Sequence, residues 1–141
     1  MSLNTEPVYV ALGSNLGDRA AHLAATRVGL AALPHTDLRA ASAIEETAPL
    51  GGHGEQPAYL NQMVLLETTL EPRELLAACQ ALERASGRER RERWASRTLD
   101  LDIVLYGERR LNEPDLTIPH PGLIDREFWR RELEELRAHE R

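Results

Sequence analysis

The stretch Arg93-Trp94-Ala95-Ser96-Arg97-Thr98-Leu99-Asp100-Leu101-Asp102-Ile103-Val104-Leu105-Tyr106-Gly107 decides the fold. Its second half, Ile103-Val104-Leu105-Tyr106, is a short apolar run that stops at a glycine, the pattern of a buried strand. Asp100 and Asp102 stand at i and i+2 at the entrance of that strand, a spacing that points both carboxylates to one face. Like charges side by side weaken a sheet unless a cation lies between them. A hard ion such as Mg²⁺ takes carboxylate oxygens and keeps room for substrate phosphates. The arginines just upstream supply the guanidinium forks that bind phosphate. Acids for a metal and forks for phosphate, side by side, point to phosphoryl-group chemistry. The plainer reading of an isolated D-x-D is two strand-end acids facing water; Arg97 upstream and the apolar strand directly downstream favour the metal site.

Outward from this strand, the chain alternates extended and helical patterns. Pro7 to Leu12 reads as a first strand running into Gly13-Ser14-Asn15-Leu16-Gly17, a turn-rich segment whose spacing fits neither a P-loop nor a dinucleotide fingerprint. Asp18 caps an alanine-rich helix carrying Leu23, Val28, Leu30 and Leu33, which Pro34 ends. Leu38 to Ile44 is a second strand, and Tyr59 to Thr68 leads into a third. Glu71-Pro72 opens a second helix with Leu75, Leu76, Cys79 and Leu82 on its apolar stripe, closed by Gly87. Gly107 to Asn112 reads as a turn, and Leu116 to Pro121 as an extended, proline-bounded segment. In the charged tail from Phe128 to Arg141, Trp129, Leu133 and Leu136 share one face of an amphipathic helix. The order β-α-β-β-α-β is the ferredoxin-like α+β pattern: an antiparallel four-stranded sheet with helices packed on one face. The expected organisation is a single domain over 1–141, with a core from about 7 to 128, long catalytic loops and a short charged C-terminal helix over 129–141.

With 141 residues and 42% hydrophobic content, the chain is long enough to bury a core and ordinary for a globular protein. No apolar run approaches the roughly 20 residues that span a bilayer. The first six residues have neither a basic nor an apolar leader segment, so a cytoplasmic location without membrane association is expected. The lone Cys79 excludes an internal disulfide framework and a cysteine zinc site. All 17 basic residues are arginine, which excludes a P-loop lysine, a Schiff base and a lysine general base. The net charge of −6 argues against a general nucleic-acid binder. The basic residues nonetheless cluster: Arg84, Arg88, Arg90, Arg91, Arg93 and Arg97 outnumber Glu89 and Glu92 between positions 84 and 97. A cationic loop in an acidic protein suits a small polyanion.

Other candidate residues gather in the loops. Charge runs are usually solvated, and some of the loop arginines fit that reading. Trp94 among them has little core to join and can cover a ligand when the loop closes. The long Pro- and Gly-rich segment from Thr47 to Pro57 has the length of a functional loop. Asn61 has the donors and acceptor to read the edge of a planar heterocycle, and Tyr59, two residues away, can stack on its ring. His120, held between Pro119 and Pro121 with Arg126 nearby, is either part of a rigid surface turn or a phosphate contact.

Taken together, these stretches resemble the 6-hydroxymethyl-7,8-dihydropterin pyrophosphokinases of folate biosynthesis. Arg93 to Val104 carries the signature. Ala11 to Gly17, Thr47 to Gly51, Gln56 to Asn61 and Ile118 to Pro121 support it in consistent order. The resemblance implies transfer of a diphosphate from ATP to the hydroxymethyl group of a reduced pterin, releasing AMP. It implies two Mg²⁺ ions held by Asp100 and Asp102 and attack of the substrate hydroxyl on the β-phosphorus. Arg97, Arg90, His120 and Arg126 would bind nucleotide phosphates, with Arg88 in the same mobile loop. Gln80, Glu83 and Thr117 would face the nucleotide and Ile103 would line the adenine pocket. Tyr59 and Phe128 would sandwich the pterin, while Asn61, Thr47 and the backbone at Ala48 and Leu50 read its polar edge and Trp94 closes over the site. A monomer acting on these two small molecules is expected. Three departures stand out: the Arg88–Trp94 loop is about one residue shorter than the family pattern, Ala48 replaces a common proline, and the segment after Phe128 is charged where the family continues apolar. The first rival is another two-metal nucleotidyl or phosphoryl transferase on the same fold. The second, an RNA-binding module, conflicts with 4% aromatic content and the negative charge.

Overall fold

In the computed structural model, the described residues are 4–48, 58–86 and 99–140. The elements run β1 (Glu6–Ser14), α1 (Arg19–Ala31), β2 (Thr36–Ala41), β3 (Glu45–Thr47), β4 (Tyr59–Thr68), α2 (Pro72–Ala85), β5 (Asp100–Tyr106), β6 (Leu111–Glu113), β7 (Leu116–Ile118) and α3 (Glu127–Leu136). The main sheet has the order β2-β4-β1-β5, with β3 also paired to β4, and its pairings are antiparallel. Setting β3 aside, this is the strand order of the ferredoxin-like fold reached through the β-α-β-β-α-β connection. The expected sheet of four strands is corrected to five by β3.

Local chemistry sets the elements. Asp18 caps α1, its Oδ1 accepting from the Ala21 N–H at 3.1 Å. Pro72 opens α2, where it forfeits no helical hydrogen bond, and Glu74 accepts from the Glu71 N–H at 2.7 Å. The helix-closing glycine expected at 87 lies outside the described residues. β1 runs two residues further than the sequence suggests. Gly13 and Ser14 pair with Asn61 and Leu60 of β4, and the turn comes at Gly17, with φ at +74°. β2 stops at Ala41 because Ser42 competes with the ladder: its Oγ accepts from the Met63 N–H at 3.0 Å. The turn expected to last to Asn112 is shorter. Gly107, with φ at +55°, makes it, and Leu111 already pairs with Ile118 in the β6–β7 hairpin.

Two cores flank the sheet. On one face, Val8, Val10 and Leu12, Val64 and Leu66, and Leu101 and Ile103 pack against Leu23, Leu30, Leu75 and Cys79 of α1 and α2. Burial pushes the Cys79 thiol up to about 12, so it behaves as a small apolar residue. On the other face, Tyr9, Met63, Leu65 and Val104 pack against Trp129, Leu133 and Leu136. The expected amphipathic stripe of α3 is therefore a buried seam. A ten-residue helix is marginal alone; burying these three side chains at about 1.5–3 kcal/mol each holds it to the sheet. The chain end is tied down as well, because the Tyr9 hydroxyl donates to Glu140 Oε2 at 2.5 Å. Among the described residues, no helix is long and apolar enough to cross a membrane.

Candidate active site

The pleat places the two aspartates. Asp100 pairs with Gly13 and Asp102 with Ala11 on β1. Across β1, Gly13 pairs with Asn61 and Ala11 with Met63 of β4. The acids and Asn61 thus rise from one face, the face that α3 covers, separated by a glycine and an alanine. Small residues on the central strand leave a hollow between taller neighbours. A methyl group on Gly13 would sit 3.4 Å from Asn61 Oδ1 and 3.5 Å from Tyr59 Cδ1, on the floor of that hollow.

The hollow is a cavity of ≈ 180 Å³. Asp100 and Asp102 form one wall; Asn61, Tyr59, Thr47 and Ala48 form the opposite wall; Phe128, Trp129 and Arg126 close the α3 side. The sequence had singled out all of these except Trp129, which it placed only on a helix face. Ala11 and Gly13, the floor, were also missed as site residues. Their signal was present: two small residues at i and i+2 on a strand, matching the spacing of the acids. Asn61 is oriented by its neighbour, its Nδ2 donating to Thr47 Oγ1 at 2.5 Å. This leaves the amide edge fixed before any ligand arrives.

His120 stands beside the acids. Its Nδ1 accepts from the Gly122 N–H at 2.9 Å, which leaves the ring hydrogen on Nε2, 3.5 Å from Asp102 Oδ1. Its backbone N–H donates to Val104 O at 3.0 Å. The Ile118–Pro119 peptide before it is cis. Arg126 lies over Trp129, Cζ 4.5 Å from the ring centroid.

The other expected residues stand off the cavity wall. Ile103 is packed in the core under α2. Gln80 is exposed on α2. Glu83 reaches β5, where its Oε2 accepts from the Leu101 N–H at 2.8 Å. Thr117 is half-buried on β7. Leu50, Arg88, Arg90, Trp94 and Arg97 lie outside the described residues.

Among the described residues, no three His, Cys, Asp or Glu side chains converge on a metal position. The donor set is Asp100 and Asp102 alone, all oxygen and half-open to water. That suits Mg²⁺, which is held by one or two carboxylates and completes its shell with water and phosphate oxygens.

A ferredoxin-like sheet with paired acids facing an amide- and aromatic-walled cavity has the build of a phosphoryl-handling transferase. Sequence comparison is more specific: residues 9–138 match the 7,8-dihydro-6-hydroxymethylpterin-pyrophosphokinase family, and the chain belongs to it. It is 45% identical over 121 residues to a 2-amino-4-hydroxy-6-hydroxymethyldihydropteridine pyrophosphokinase of Pseudomonas aeruginosa, covering 86% of this chain and 74% of the relative. A protein of the same description from Haemophilus influenzae is 42% identical over 120 residues, covering 85% and 74%. One from Bacillus subtilis is 39% identical over 120 residues, covering 85% and 71%.

Proposed function

We propose that this enzyme transfers a diphosphate from ATP to the hydroxymethyl group of 6-hydroxymethyl-7,8-dihydropterin, giving the pterin diphosphate and AMP in folate biosynthesis. The observation that carries the reading is the two-walled cavity, with paired acids on one side and a pre-oriented amide with an aromatic on the other. Membership of the pyrophosphokinase family supports the same chemistry. Asp100 and Asp102 would hold two Mg²⁺ ions, which when bound neutralise charge on the ATP phosphates. The hydroxymethyl oxygen attacks the β-phosphorus and gives up its proton to water, the bond from that phosphorus to the α,β-bridging oxygen breaks, and its electron pair leaves with AMP.

The chain's own residues position and neutralise. Tyr59 and Phe128 flank the pterin ring, and Asn61, with Thr47 and the backbone at Ala48 and Leu50, reads its polar edge. Arg126 and His120, with Arg90 and Arg97, take the phosphates. His120 acts there as a donor rather than a base, since its hydrogen lies on Nε2. Gln80, Glu83, Ile103 and Thr117 form the nucleotide side, and the loop with Arg88 and Trp94 closes over both substrates.

The deciding assay incubates the protein with ATP, 6-hydroxymethyl-7,8-dihydropterin and Mg²⁺ and separates the products. AMP and pterin diphosphate are expected. Pyrophosphate release would instead assign the site to a nucleotidyl transferase.

A further inference from the structure

Trp129 is buried in the apolar core under α3, yet its ring also meets two polar residues of the site. The Arg126 guanidinium lies over one face at 4.5 Å. The His120 ring meets it edge-on at 5.0 Å and 86°. Gly122 lies against Arg126 as well. A methyl group there would be 2.9 Å from Arg126 Cζ, nearer still to Nη1, and 3.1 Å from His120 Nδ1. The guanidinium is thus in close contact with both an indole face and a bare α-carbon. Within this slot Arg126 Nη1 is buried without a hydrogen-bond partner, a donor in need of an acceptor. The turn that forms the slot is short and tightly bonded: the Gly122 carbonyl accepts from both Asp125 and Arg126 N–H at 3.1 Å, and the Arg126 carbonyl accepts from Trp129 N–H at 3.0 Å.

We propose that Gly122 and Trp129 are positioning residues that form a slot fixing the Arg126 guanidinium, with the His120 ring set beside it, for the phosphates of the nucleotide. Neither residue touches a reacting atom. Both act by removing alternatives: a free arginine has many rotamers, and each must be given up on binding. The slot removes that cost in advance and leaves Nη1 unpaired until an anionic oxygen arrives. It also gives the charged segment after Phe128 a role, because the residue following Phe128 is the slot's floor. The inference rests on the proposed function in taking the anion to be ATP.

The test uses α,β-methylene-ATP with Mg²⁺ as the probe, titrated calorimetrically into full-length protein. Gly122→Ala displaces only the tip of a flexible side chain, so the melting temperature should hold. Its Kd for the analogue should rise about tenfold, a coupling typical of residues in contact. KM for ATP should rise in step while KM for the pterin stays constant. Trp129→Leu should raise the Kd for the analogue likewise, and Trp129→Phe, which keeps a flat face, should recover most of the loss. In an Arg126→Ala background, Gly122→Ala should cause no further weakening. Unchanged nucleotide affinity in Gly122→Ala, or equal weakening with and without Arg126, overturns the slot while leaving the proposed function intact. Wild-type protein that fails to bind the analogue overturns both.

Discussion

The face of the sheet under α1 and α2 carries an unbroken apolar core through its middle rows, with polar Gln62 reaching Arg27 of α1 only at its edge, whereas the face under α3 changes character half-way along. Under α1 and α2, the rows Val8, Val10 and Leu12 and their partners Leu66, Val64, Leu101 and Ile103 are all buried. Under α3, Tyr9, Met63, Leu65 and Val104 are buried too, but the rows beyond them are Ala11 with Asp102 and Gly13 with Asn61 and Asp100. The same three strands thus carry a stabilising core on one side and, on half of the other, a hollow with charge and amide at its rim. The difference separates what a substitution on each face should damage.

The largest expected effect is catalytic. Asp102→Ala should lower AMP formation about 10³-fold, since losing a charge clamp costs several kcal/mol of transition-state stabilisation. Its side chain is 42% exposed, so melting should barely move; a variant with normal turnover sinks the metal assignment. Next comes the opposite face. Leu66→Ala, directly under the helices, should cost about 2–5 kcal/mol in denaturant unfolding. Measured below its melting point, its kcat should match wild type, and a large loss of kcat in folded protein would erase the contrast between the faces. Gly13→Val fills the floor of the hollow. The strand tolerates valine well, so stability should hold while KM for the pterin rises about tenfold, the scale of a misfitted methyl or two in a pocket.

The smallest effect concerns α3. Glu132 is 1% exposed, and both its carboxyl oxygens lack a hydrogen-bond partner. Burial, and after it the neighbouring Glu45, raise its pKa from 4.5 to about 9. The unfolded chain therefore releases this proton near pH 4.5 and the folded chain near 9. Within that window the folded state binds the extra proton, so stability falls as pH rises. Glu132→Gln should flatten this slope in melts from pH 5 to 9. It should gain about 1 kcal/mol at pH 8, the low end for relief of an unpaired buried polar group. A slope identical to wild type would place the pH dependence elsewhere.

Much of this was legible in the chain. Period-2 and period-3.6 patterns gave the β-α-β-β-α-β order, Asp18 and Pro72 marked two helix starts, and D-x-D on an apolar strand put two acids on one face. The opposite wall was readable at Tyr59 and Asn61 because an aromatic and an amide at i and i+2 suggest a ring-reading pair. What escaped has a common physical cause. The sequence does not say which strand lies beside which, so Ala11 and Gly13 could not be seen as a floor between the acids and Asn61. Gly13 and Ser14 looked like turn residues, although a long partner in β4 holds them extended. Trp129 read as one apolar position among three on α3, because its ring partners Arg126 and His120 come from the turn before the helix rather than from the helix itself.

One irregularity in β5 has a wider reach than its size. Tyr9 pairs with Leu105 and Val10 with Ile103, so Val104 is an extra residue, and Val104 and Leu105 both lie on the α3 side. The strand therefore changes phase once, between the tyrosine that belongs to the helix-side core and the acids that belong to the cavity. Were the same residues to alternate strictly, with no bulge and Tyr106 held in place, Asp100 and Asp102 would turn toward the helices, where Leu101 and Ile103 now sit. The spare carbonyl is used as well, receiving the His120 N–H. The bulge thus acts as an address: straightening the strand with every residue kept would leave every side chain of the site intact and deliver the acids to the wrong side of the sheet.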